Sequence, residues 1–347
     1  MPAPSPLQLT AAFTPIDEHL AATLLEQTHG VAVSSIARLA TERDDTFRVG
    51  TDRGTVVAKF AHPLDPADTI DEQLRVMVAL GRDHPTLPVA RVVPTRDGLR
   101  STITADASGS ARVLRVMTHL EGEALGAAPR TLDALRALGA LHARLAAAIA
   151  AIGEASDPSI RGAATPWNLL AVEQYGALAA GIADAGLRRD AERIVDRAHD
   201  AVLPRAAALP AVLAHNDLHG DNVLVRAEPF AVTGVLDFGD MTRTPRVADL
   251  AVAASYARGR VGEPGEPWAA ARAYVSGFEA EQPLSEVEHA LLPELVLLRL
   301  AQRGILNSSL AAANPRAAPY ASRNLSAIGR DLRELGASIP HTIGARA

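Results

Sequence analysis

The stretch VLAHNDLHGDNVLV, Val212 to Val225, sets a dense polar cluster between two apolar runs. His215, Asp217, His219, Asp221 and Asn222 all fall inside it. Polar groups held between buried strands cost desolvation unless each finds a partner, so this loop marks a site. The chain continues as DNVLVRAEPFAVTGVLDF, which reads as a hairpin turning near Glu228 and Pro229. Its second arm ends at Asp237 in VLDFGD, and the fold-back is expected to set Asn222 beside Asp237.

Working outward, the N-terminal side shows period-two patterning. VSSIARLA, TFRVGTD, TVVAKFAH, LPVARVVPT and SARVLRVMTHL read as five strands, and ADTIDEQLRVMVALGRD as one inserted helix. Before them, TPIDEHLAATLLEQTHG is predicted to be a helix with Thr14 as N-cap, Pro15 in the first turn, Asp17 completing a capping box and Gly30 as the stop. After EGEALGAAPR the pattern is helical, from TLDALRALGALHARLAAAIAAIG through RVADLAVAASYA and PWAAARAYVSGFEA to LSEVEHALLPELVLLRLAQRGILNS. The expectation is an α+β chain of two lobes. Residues 1–120 form a β-rich nucleotide-binding lobe, and residues 121–347 a mainly helical lobe carrying the polar loop and hairpin.

Composition narrows the function classes. A chain of 347 residues can bury two cores. Net charge is −6, so no basic field exists to hold a nucleic-acid backbone. Cysteine is absent, which excludes thiol catalysis and Cys-ligated zinc. No signal-peptide pattern opens the sequence, and no apolar run is read as reaching membrane-spanning length. A cytoplasmic protein, monomeric or homodimeric, with no nucleic-acid or membrane partner is expected.

The polar loop reads H-x-D-L-x-x-x-N, the spacing of the protein-kinase catalytic loop, and Asp237-Phe238-Gly239 supplies the D-F-G element. Phosphoryl transfer needs positioning and charge neutralisation more than covalent help. Asp237 offers a carboxylate and Asn222 an amide oxygen to Mg²⁺, a hard cation. Asp217 is placed to accept the proton of an attacking hydroxyl. The chain has 34 Lys plus Arg, and Lys59 in TVVAKFAH is its one lysine. A compact ammonium on an apolar strand matches the V-A-I-K strand of kinases, where a forked guanidinium substitutes poorly. A snorkelling surface lysine is the bland alternative.

Together, HNDLHGDN, LDFGD and VVAKF resemble the aminoglycoside phosphotransferase and choline kinase superfamily, small-molecule kinases with a protein-kinase-like fold. LATERDDTFRV, IDEQLRVMVAL, VLRVMTHLEGEAL and GVLDFGDM are similar to its hydroxylysine-kinase branch and to the kinase-like domains fused to class-III aminotransferase-type lyases. The resemblance implies ATP or GTP as donor and a small hydroxylated amine as acceptor. It implies that Lys59 binds the donor phosphates and that Thr118, His119 and Leu120 form the hinge at the purine. No G-x-G-x-x-G loop is present; TERDDTF would cover the phosphates instead, with Thr41, Arg43 or backbone amides helping. Helix spacing puts Gln73 where the acid partner of Lys59 usually sits, while Glu72 carries the charge; the two point about 100° apart.

The remaining candidates carry two readings each. His219 faces the acceptor or is a plain loop histidine. Asp240 holds a substrate ammonium or approaches Mg²⁺. Trp167 packs or lines the acceptor pocket, and Arg299 needs an acid partner or binds a substrate carboxylate. His215, Asp249 and His142 are read as structural, and Asp221 as a solvated loop acid. Antibiotic, homoserine and choline-type acceptors stay open. A metal-dependent hydrolase built on His215 and His219 is the alternative of another class, and a catalytically dead nucleotide-binding module is the third.

Overall fold

The computed structural model describes residues 13–39, 41, 44–127, 131–155, 165–257, 266–313, 318–341 and 343. Helix α1 (Glu18–His29) leads into β1 (Val33–Leu39), β2 (Asp45–Thr51) and β3 (Gly54–Phe60). Helix α2 (Ala67–Asp83) is inserted before β4 (Thr102–Ala105) and β5 (Ala111–Thr118). The five strands pair antiparallel in the order β1-β2-β3-β5-β4.

The strand alternation divides the sheet into two faces. Phe47, Val49, Ala58, Phe60, Leu114 and Val116 pack into one core with Ile16, Ala21 and Leu25 of the α1 region. The intervening residues, Thr46, Lys59 and Arg115 among them, are direct cross-strand partners and share the other face. At the start of β2, Asp45 is buried and accepts from Ile16 N at 3.0 Å and from Arg112 Nη2 at 2.9 Å, pinning the entry to α1 onto the sheet.

Two local expectations are corrected. The N-cap of α1 is Asp17, not Thr14: its backbone is extended and its carboxylate accepts from Leu20 N at 2.8 Å. Gly30 does end the helix, at φ 65°. The stretch LPVARVVPT is not a sheet strand. It makes isolated bridges at Val89 and Val92 and runs beside the end of β5. Pro88 and Pro94 lack the N–H donors a longer ladder needs, and the fifth strand is Thr102–Ala105 instead.

Beyond the sheet come β6 (Glu123–Ala124), α3 (Leu132–Ala155), α4 (Val172–Tyr175), α5 (Ala185–Arg197) and α6 (Leu203–Ala206). Strands β7 (Ala211–Ala214), β8 (Val223–Arg226), β9 (Ala231–Val235) and β10 (Thr242–Pro245) follow. The chain then runs through α7 (Arg246–Ala257), α8 (Ala269–Glu281), α9 (Glu286–Ala313), α10 (Ala318–Ser322) and α11 (Leu325–Gly336). β8 and β9 form the expected hairpin, with β6 on its outer edge, and β7 pairs with β10. Helices α3 and α8 approach so closely that a Cβ on Gly139 or Gly277 would lie 1.9 Å from a backbone oxygen of the other helix.

Helix α3 corrects a further reading. Leu132–Glu154 spans 23 residues at mean hydropathy 1.4, long and apolar enough by composition to cross a membrane. Here it packs against α8 and β7, with Leu135, Leu138, Leu145 and Ile149 in the main core. The stripe Ile70, Leu74, Met77 and Leu80 of α2 joins that same core. Helix α2 therefore packs with the helical lobe, in a core that also takes in Met117 of β5.

Candidate active site

The polar loop leaves β7 under backbone strain. Asn216 is fully buried and sits at φ 65°, and Asp237 at the end of β9 sits at φ 55°. Such conformations persist in non-glycine residues where the surroundings hold them, and they cluster at functional sites. The holder of Asn216 is visible. Asp249 Oδ1 on α7 accepts its N–H at 2.7 Å, and Asp249 Oδ2 meets His142 Nε2 at 2.9 Å. His142 Nδ1 lies 3.1 Å from the Tyr274 hydroxyl. Burial pushes the Asp249 carboxyl up, but His142 and the Asn216 N–H outweigh it and the net shift is downward. Three helices thus fix one turn of backbone.

His215 completes the support. Its Nδ1 accepts from Asp217 N at 3.3 Å, so the proton lies on Nε2, which donates to Leu236 O at 3.1 Å. Burial lowers its pKa and keeps the ring neutral. With both nitrogens committed to backbone, His215 has none left for a metal, which removes the histidine pair that the hydrolase reading requires.

Asp217 stands at the centre of the site. Its Oδ1 accepts from Arg299 Nη2 at 3.2 Å, and its Oδ2 accepts from Asn222 Nδ2 at 2.9 Å and lies 3.3 Å from His219 Nε2. His219 Nδ1 accepts from Asp221 N at 3.1 Å, which places its proton on the nitrogen facing Asp217. Burial lowers the His219 pKa, the Asp217 charge more than reverses this, and the net shift is upward. The Asn222 amide nitrogen also donates to Asp217 O at 2.9 Å, leaving Oδ1 for another ligand. The hairpin brings Asn222 beside Asp237, since Leu236 N–H donates to Asn222 O at 2.8 Å.

Asp237 Oδ2 lies 3.5 Å from Lys59 Nζ, and the lysine charge first, with the Gly239 N–H, lowers the Asp237 pKa to about 2. Its side chain is 49% exposed, so water screens part of that attraction. Asp240 is pushed up to about 7, by burial and then by the charges of Asp217 and Asp237. Carboxylates crowded enough to repel one another are a fit environment for a divalent cation, and Asp237 with the free Asn222 oxygen are the donors that would hold it.

The acid partner of Lys59 needs correction. It is neither Glu72 nor Gln73: the carboxylates at Lys59 Nζ are Asp237 and Asp44, the latter at 3.6 Å. Gln73 Nε2 donates instead to Gly239 O at 3.3 Å, tying α2 to the D-F-G turn. Spacing along α2 could not show which loop closes over the lysine. Thr41 is exposed and donates to Asp44 O at 2.5 Å. Arg43 lies outside the described residues. In the segment expected to be the hinge, Thr118 N donates to Arg91 O at 2.8 Å and His119 N to Thr55 O at 3.2 Å, while Leu120 packs against the main core.

Arg299 does find an acid, and it is Asp217. Fully buried on α9, it also donates to Trp167 O at 3.1 Å and Gln302 Oε1 at 2.8 Å, and it lies over the Trp167 ring. Two neighbours were missed in the sequence. Tyr256 stacks on His219 at 5.0 Å, and the Arg303 guanidinium lies 3.9 Å over Tyr256. A signal existed: Tyr256 is seven residues after Asp249 and Arg303 four after Arg299, each on the same helix face as its partner. An open cavity of about 650 Å³ near His29, Arg53 and Arg96 extends to Thr118; none of Lys59, Asp217, Asn222 or Asp237 lines it.

Residues 35–284, most of the chain, match the family described as Phosphotransferase enzyme family. The chain belongs to that family. This phosphotransferase is a small-molecule kinase, and it is similar to the hydroxylysine kinase of Mus musculus, 25% identical over 304 residues that cover 82% of this chain and 80% of the relative. Among solved structures it is similar to an amicoumacin kinase in complex with AMP-PNP, Ca²⁺ and Ami, with TM-score 0.69, 18% identity and coverage of 95% and 96% of the two chains. A microcompartment-associated aminopropanol kinase gives TM-score 0.61, 21% identity and coverage of 91% and 100%. At these identities the structures establish the shared fold, a two-lobe protein-kinase-like architecture.

Proposed function

We propose that this phosphotransferase moves the γ-phosphoryl group of ATP or GTP to the hydroxyl of a small amino alcohol or hydroxy amino acid, with Mg²⁺. The observation that carries the reading is Asp217. It is held by Arg299, Asn222 and His219 on a strained loop, in the same site as the Lys59–Asp237 pair.

In this scheme the acceptor hydroxyl donates to Asp217, its oxygen attacks the γ-phosphorus, and the bond to the β-bridging oxygen breaks. The proton passes to Asp217 as the new bond forms. Arg299 and Asn222 fix the carboxylate so that no side-chain ordering is needed at that moment. Lys59 holds the donor phosphates. Mg²⁺, held by Asp237 and Asn222, would neutralise the phosphate charge. Asp240 faces the acceptor ammonium, and the His219–Tyr256–Arg303 stack, with Trp167, forms an aromatic wall for its body.

Coupled nucleoside-diphosphate release tests this. ATP and GTP are offered with amino alcohols, hydroxylysine isomers, homoserine, choline and aminoglycosides, with Asp217→Asn as blank. Acceptor-dependent release that vanishes in the variant supports the reading and names the acceptor. Release that persists in Asp217→Asn overturns it.

A further inference from the structure

The face of the sheet that carries Lys59 holds other polar groups beside that lysine. Thr46 on β2, Lys59 on β3 and Arg115 on β5 are successive cross-strand partners and form one row. Two atoms of that row are buried without a hydrogen-bond partner, Thr46 Oγ1 and Arg115 Nη1. Burying a polar atom unsatisfied is costly, and the cost falls away when a ligand supplies the missing acceptor. Asp237 Oδ2 lies 3.5 Å from Lys59 Nζ, and a second carboxylate, that of Asp44, spans Lys59 and Arg115. Asp44 Oδ2 is 2.7 Å from Arg115 Nη2 and 3.6 Å from Lys59 Nζ.

One oxygen shared by a guanidinium and an ammonium occupies the position where an oxyanion of a ligand would be held. Asp45, its neighbour, is committed elsewhere, to Ile16 N, Arg38 and Arg112. Asp44 has no such tie to the sheet core. A phosphate group and the Asp44 carboxylate cannot share the two cations without like-charge repulsion at contact distance.

We infer that Thr46, Lys59 and Arg115 together form the polyphosphate seat of the sheet, and that Asp44 fills this seat in the free protein and leaves it when a nucleoside polyphosphate binds. Arg115 is then a binding residue in its own right, and Asp44 a built-in competitor. The inference rests on the nucleotide-dependent reading above. It also accounts for two acids in a loop that covers phosphates: Asp45 anchors β2, and Asp44 stands in for the absent anion.

The test is calorimetric titration of ADP and GDP with Mg²⁺, with adenosine and guanosine as controls lacking phosphate. In Arg115→Gln, diphosphate affinity is expected to fall by about tenfold or more, the scale of a lost charge-assisted hydrogen bond, with nucleoside affinity within twofold. In Asp44→Asn, diphosphate affinity is expected to rise by about threefold to tenfold, since the competitor's charge is gone. Diphosphate affinity within twofold of wild type in Arg115→Gln, or unchanged or weaker in Asp44→Asn, overturns the inference. Should Arg115→Gln not fold, Asp44→Asn decides alone, because it is nearly isosteric and lies in a loop. Wild-type protein that binds neither diphosphate overturns both this inference and the proposed function. Wild-type binding that the variants leave unmoved overturns this inference only.

Discussion

Asp249 accepts the backbone N–H of Asn216 at 2.7 Å, and Asn216 is held at φ 65° directly before Asp217. A carboxylate on α7 thereby sets the direction in which the central acid of the loop leaves the backbone. The Asp249 charge is itself held by His142, so the geometry of the loop depends on α3 as well.

Replacing Asp249 with Asn should therefore act on stability and on turnover together. Breaking one partner out of a buried charged network costs about 3 kcal/mol, and urea denaturation should show that loss at neutral pH. The pH dependence follows from the sign of the shift. The folded-state pKa of Asp249 is lowered, so its contribution is complete above the ordinary carboxylate range and is lost as pH falls through and below it. The stability gap between wild type and Asp249→Asn should narrow below about pH 4. A gap that stays constant down to acid pH would contradict an ionised Asp249 in the folded protein.

Asp217→Asn removes the proposed proton acceptor and keeps the shape of the side chain. Turnover should fall by about 10²–10⁴-fold, the range for a positioned general base. Nucleotide affinity should stay within about threefold, since the proposed function puts Asp217 on the acceptor side of the site. Single-turnover kinetics beside equilibrium binding separate the two, and a loss of affinity in step with rate would assign Asp217 to nucleotide binding.

Arg299→Lys tests the fork. The guanidinium serves Asp217, Trp167 O and Gln302 at once, and a lysine ammonium cannot match that planar geometry. About 2 kcal/mol of stability should be lost, with turnover down by about tenfold as Asp217 loosens. A variant equal to wild type in both denaturation and rate would show that Asn222 and His219 suffice to hold the acid.

Gly139→Ala probes the helix crossing. The added Cβ would lie 1.9 Å from Tyr274 O, so α3 and α8 must separate. Overpacking of this kind costs about 3 kcal/mol. The thermal midpoint should drop clearly, and it should drop equally in Gly277→Ala, whose Cβ would meet Arg136 O at the same distance.

Much of this fold was legible because its signals are local. RVADLAVAASYA matches α7 from end to end, since its apolar spacing and its flanks lie within one segment. The β8–β9 hairpin followed from two apolar arms around Glu228 and Pro229. LPVARVVPT misled because its apolar residues alternate like a strand while its prolines deny it a ladder. The cap of α1 misled because Thr14 and Asp17 are both good caps by type, and only the backbone angles choose between them.

The order and spacing of Lys59, Asp217, Asn222 and Asp237 were written in the sequence, because each motif is a short run whose chemistry needs no distant partner to be recognised. Which groups hold those residues was decided by tertiary structure alone. Asp44 meets Arg115 across 71 positions, Arg299 meets Asp217 across 82, and Asp249 meets Asn216 across 33. Such pairings depend on how α7 and α9 seat against the loop and how Asp44 folds back over the sheet. Close packing between segments distant in sequence, as where Gly139 of α3 meets the Tyr274 backbone of α8, is not encoded by any periodicity along the chain.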